Sequence, residues 1–93
     1  MGLVHERSIT LRDDAGVVYE RANVYAERQP DGIWHGFIEF VPLGVGAIRR
    51  TPRETTQSTL SAVEYWATGL EPLYFEGALD RALREPPADA AAA

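Results

Sequence analysis

The chain has no cysteine and no lysine, and a single methionine. Without thiols there is no disulfide framework, no thiolate zinc site and no cysteine nucleophile. Long apolar runs are also missing, and "MGLVHERSIT" offers neither an apolar h-region nor a cleavage pattern. A soluble cytoplasmic protein with no membrane contact is therefore expected. Met1-Gly2 does not open a myristoylation motif, because Glu6 stands where Ser or Thr is needed. No G-x-S-x-G or H-E-x-x-H occurs, and "GVG" at 44–46 lacks the third glycine of a dinucleotide fingerprint and reads as a turn. No cofactor is implied, and no catalytic motif is present.

Basic charge is scarce as well. Nine Arg face fourteen acidic residues, for a net charge of −5. Residues 1–53 hold seven Arg and seven acids, and residues 54–93 two Arg and seven acids, so the whole excess lies in the C-terminal part. That argues against nucleic-acid binding, which needs a basic face to displace counterions. The exclusive use of Arg, with an Ala-rich tail, reads as the codon bias of a GC-rich bacterial genome.

What is present fits one small domain. The 93 residues lie near the lower end of what buries a sufficient core alone, and the simplest helper is a second copy. Residues 1–84 are expected to form an α+β domain, and residues 85–93, "EPPADAAAA", a disordered tail. "LVHERSITLR", "VVYERANVYAER" and "IWHGFIEFV" have strand character, and "VGAIRR" adds a short fourth strand. An antiparallel four-stranded meander follows. "DDAG" and "QPDG" read as three-residue hairpin loops, with Gly16 and Gly32 supplying the left-handed residue of a G1 bulge. "TPRETTQS" reads as a polar loop.

The C-terminal part predicts one or two helices packed on one face of that sheet. "SAVE" at 61–64 is a capping box with Ser61 as N-cap, and Gly69 sits where a C′ glycine belongs, giving a helix over 62–68. A strand over 59–68 stays open as the alternative. "EPLYFEGALDRALRE" is the firmer helix, with Pro72 in its first turn and i,i+4 pairs Asp80 to Arg84 and Arg81 to Glu85. Gly77 in its apolar stripe predicts a close approach by the sheet or a partner helix.

Loop length sets register. Two three-residue loops place His5 opposite Tyr25 and Tyr25 opposite Phe37, with Arg7, Asn23 and Glu39 in the next row and Leu3, Glu27 and His35 in the row beyond. Four-residue loops would keep His5 and His35 on one face but change their neighbours. The even positions Val18, Ala22, Val24, Ala26, Trp34, Gly36, Ile38 and Phe40 form the bed expected under the helices.

The odd face is thus the candidate binding surface: His5, Arg7, Asn23, Tyr25, Glu27, His35, Phe37 and Glu39. Its mixture of aromatics, Arg and aliphatics suits a homodimer interface. A protein or peptide partner on such a module is the leading functional expectation, with one of Tyr65 and Trp66 left outward as a contact. The alternative is a small-molecule or metal-binding protein, possible as an enzyme, built on His5, Glu27 and His35 with Arg7 and Glu39. A weaker third candidate is the basic cluster Arg49, Arg50 and Arg53, suited to an anion or acidic partner.

Overall fold

The computed structural model describes residues 1–88. Five strands precede two helices: β1 (Gly2–Arg12), β2 (Val18–Arg28), β3 (Trp34–Pro42), β4 (Arg49–Arg50), β5 (Thr55–Gln57), α1 (Leu60–Thr68) and α2 (Pro72–Leu83). The sheet is antiparallel, in the order β1-β2-β3-β4, with β5 also on β3. Both helices pack on one face, which makes an α+β fold. Among the described residues no helix is long and apolar enough to cross a membrane. From residue 89 onward the expected tail lies outside the described residues; before that, the Ala88 amide donates to the Ile48 carbonyl at 3.0 Å.

Both hairpin loops close as their sequences dictate. The Asp13 amide donates to Val17 O, and the Gly16 amide to Asp13 O, each at 3.0 Å. Gln29 N to Ile33 O and Gly32 N to Gln29 O repeat the pattern. Gly16 and Gly32 take φ of 89° and 86°, where a Cβ would be strained.

Register holds between β2 and β3 but not between β1 and β2. Asn23 faces Glu39, Tyr25 faces Phe37 and Glu27 faces His35, as the loop predicts. Beyond Leu11, which does face Tyr19, β1 slips: Arg7 faces Ala22, His5 faces Val24 and Leu3 faces Tyr25. Two irregularities, between Leu3 and His5 and between Ser8 and Leu11, cause the slip. Each unpaired residue in a bulge exchanges the faces of every residue beyond it. A third, between Tyr19 and Arg21, turns Tyr19 into the core in place of the expected Val18.

The "TPRETTQS" segment is not simply a loop, because β5 forms inside it. Thr51 bridges the gap from β4 to β5: its amide donates to Ile38 O at 2.9 Å, while its Oγ1 accepts from Ile38 N at 3.0 Å. Glu54 N then donates to Gly36 O at 2.8 Å. A side chain thus takes the place of a missing ladder bond, and the β3 edge stays satisfied.

The core lies between the helices and the even positions of β2 and β3. Ala22, Val24, Ile38 and Phe40 are fully buried against Ala67, Phe75, Ala78 and Ala82. Gly36 lets α1 approach, since a Cβ there would sit 2.7 Å from Thr55 Cγ2 and 3.3 Å from Val63 Cγ1. The helix over 62–68 is real but starts earlier. Thr59, not Ser61, is the N-cap, with its hydroxyl accepting from Ala62 N at 3.1 Å. Gly69 ends α1 in a right-handed conformation, so no left-handed cap is used. Gly77 meets neither sheet nor helix; a Cβ there would reach only Arg81 Nη1, at 3.3 Å.

Candidate functional site

With both helices on one side, the other face of the sheet carries no second layer among the described residues. The pairings read off its cross-strand rows. Ser8, Arg21 and Val41 form one; Glu6, Asn23, Glu39 and Arg50 the next; then Leu3, Tyr25 and Phe37; then Glu27, His35 and Thr56. Six of the eight expected face residues are therefore together: Asn23, Tyr25, Glu27, His35, Phe37 and Glu39. His5 and Arg7 are not among them, because the register shift between Ser8 and Leu11 leaves both on the helix side, opposite Val24 and Ala22. Under neither loop length considered from sequence would the two histidines part, and they do.

The centre of this open face is dry for an uncovered sheet. Asn23 and Glu39 are each only 8% exposed. Glu39 Oε2 accepts from Arg50 Nε at 2.9 Å and also from Arg50 Nη2, so it is paired with Arg50 rather than with Arg7. Asn23 Oδ1 is buried with no donor among the described residues. The Tyr25 phenol is held above its usual pKa, first by burial and then by the Glu39 charge. His35 and Phe37 stack edge to face at 6.4 Å. The face presents aromatic and aliphatic area around one neutralised ion pair.

Arg7 does something else on the helix side. Its Nη1 donates to Leu70 O at 3.0 Å and its Nη2 to Ala67 O at 3.4 Å, while Nε contacts His5 Nε2 at 3.4 Å. The guanidinium lies 5.2 Å from the centre of the Phe75 ring. A cation thus closes the C-terminal end of α1, where the helix dipole is negative. No spacing along the chain signals this contact.

The three-Arg cluster is divided. Arg50 faces Glu39 on the open face, Arg49 faces Phe40 on the other, and Arg53 is exposed in the turn. Among the described residues, no three His, Asp or Glu side chains converge in a way that could hold a metal ion.

A polar cluster that sequence reasoning missed ties α2 to the β4–β5 turn. The Glu54 carboxylate accepts from Tyr74 Oη at 2.7 Å and from Arg81 Nη2 at 2.6 Å. Its side chain is 3% exposed. Burial first, then the bond to Glu54, pushes the Tyr74 phenol up to about 12. Arg81 also lies over the Tyr74 ring at 5.4 Å. Arg81 was expected to pair with Glu85 along its own helix; its partner is Glu54, and Gly77 leaves the path clear. On the outer side of the helices Tyr65 is 83% exposed, while Trp66 turns inward against Tyr74 at 5.9 Å.

No protein-family model, no curated protein and no solved structure matches the chain.

Proposed function

We propose that the protein is a non-enzymatic interaction module that works as a homodimer, seating a second copy on the open face of its sheet and presenting its helical side to a protein or peptide partner. The observation that carries this reading is the face itself. Leu3, Tyr25, Phe37 and Val41 surround a neutralised Glu39–Arg50 pair in a molecule 39 × 31 × 18 Å, two layers thick where a third would fit. The face carries Arg21 and Arg50 against Glu6, Glu27 and Glu39, so a second copy meets no strong field of its own sign. Its extent accommodates the roughly 800 Å² per partner of a standard interface. The parting of His5 from His35 removes the geometric basis of the metal-binding alternative.

The test is molar mass by light scattering over a wide concentration range, for wild type and Tyr25→Glu. A carboxylate placed at the centre of the buried face should halve the mass at a given concentration. If Tyr25→Glu keeps the wild-type mass at every dilution, the open face is not the interface.

A further inference from the structure

The two edges of the sheet are unlike. On one side β3 is paired by two short strands, β4 and β5, of two and three residues. Short edge strands are a device that natural sheets use against unwanted pairing. On the other side β1 runs for eleven residues, its outer edge unpaired among the described residues, and it contains neither proline nor lysine. From Glu6 to Arg12 exposure alternates without a break, so the strand keeps its pleat through the register shift against β2. A groove of about 300 Å³ follows this stretch, lined by Arg7 through Leu11 together with Pro72 and Phe75. Five consecutive strand residues line it, those of both faces, which places it along the free edge.

We propose that β1 pairs antiparallel with β1 of a second copy, in a register centred on Ile9, so that the two sheets become one. Charge selects that register. In a two-fold antiparallel pair, a residue faces one whose number completes a constant sum, and side chains of one face meet only each other. Centring on Glu6 or Arg7 sets like charges directly opposite. Centring on Ser8 puts Glu6 against Thr10. Centring on Ile9 puts Glu6 opposite Arg12 twice, Ser8 opposite Thr10, and Arg7 opposite Leu11, with no like charges across. Opposite charges placed directly across strands favour pairing, and like charges oppose it. On the helix side the partner's Ile9 and Leu11 then enter the groove beside Phe75.

The two-fold axis of this contact stands perpendicular to the sheet, so both open faces look the same way. A face-to-face axis lies in the plane of the sheet. The two contacts are therefore compatible, and together they close a tetramer of dihedral symmetry with helices outside. The edge contact goes beyond the open-face reading and does not depend on it.

The experiment uses the exposed pair Glu6 and Arg12. Glu6→Arg and Arg12→Glu are each measured by light scattering alone, then mixed in equal amounts, with circular dichroism checking that each is folded. Each variant alone opposes like charges at both sites and should show half the wild-type mass. Mixed, the two variants offer each other opposite charges at both sites and should regain it. Single variants that keep the wild-type mass, or a mixture that stays at half mass, would overturn the edge pairing. Tyr25→Glu separates the two interfaces: if it alone lowers the mass, only the face contact stands, and if it leaves the mass unchanged while the Glu6 and Arg12 variants lower it and their mixture restores it, only the edge contact stands.

Discussion

Arg7 leaves its strand at a position that simple alternation from the first hairpin assigns to the open face, and it ends against the Ala67 and Leu70 carbonyls. Hydrogen bonds from a charged donor to buried acceptors are worth more than neutral ones, and removing the donor strands the acceptors. The aliphatic stem and the stacking on Phe75 add packing. Arg7→Ala should lower stability by about 2 kcal/mol in urea unfolding. Arg7→Lys should recover only part of this, because an ammonium does not reproduce the guanidinium fork. Arg28→Ala, at an exposed position, should change little. Equal effects at Arg7 and Arg28 would show that the helix-closing contact contributes nothing. Gly36 and Thr51 belong to the same scale. One omits a side chain so that Val63 can approach, and the other supplies a hydroxyl where the ladder lacks a bond.

At the scale of elements, the hairpins and the helices differ in how far local chemistry reaches. Pro30, Asp31 and Gly32 specify a loop that closes on its own hydrogen bonds, and it does. The expected start of α1 falls two residues late because "SAVE" matches a capping box headed by Ser61. Ser61 lies inside the first turn, and Thr59 holds the extended φ of −139° that an N-cap requires. Thr59→Ala should therefore cost about 1 kcal/mol. Ser61→Ala should stay within about 0.5 kcal/mol of wild type. Thermal melts of both variants give the comparison, and the reverse order would restore the capping box at Ser61. The fifth strand escaped notice because "TTQ" is short and polar; it is a strand only because β3 offers it an edge.

Stability of the whole molecule should respond to alkaline pH in one direction. Tyr19, Tyr25 and Tyr74 all have phenols raised above the ordinary value of 10.0, each with burial as the first cause and a carboxylate neighbour adding to it. A group whose folded pKa exceeds its unfolded one holds its proton longer when folded. Its contribution is complete below the unfolded value and disappears as pH climbs through the folded one. For Tyr74 that window runs from 10.0 to about 12. The melting temperature should fall across it, and Tyr74→Phe should flatten the fall. An unchanged slope in Tyr74→Phe would mean that the Glu54 cluster does not couple to unfolding.

Periodicity and turn chemistry were enough to determine the class of the fold, both hairpin loops, the β2–β3 register, the helix-facing bed of Ala22, Val24, Ile38 and Phe40, and six residues of the open face. These are local or nearest-neighbour properties: a loop of known length fixes which residues of its two strands stand opposite. The faces of His5 and Arg7 were decided only in three dimensions, where the register shifts at Ser8/Leu11 and Tyr19/Arg21 leave the odd positions of β1 from His5 to Leu11 on the helix side. So were the partners of Glu39 and Arg81, each more than ten positions away along the chain and adjacent only once β4 and α2 have packed. A bulge leaves no mark in sequence because its energy is set by what it packs against, and a long-range ion pair leaves none because any of nine Arg satisfies the same charge.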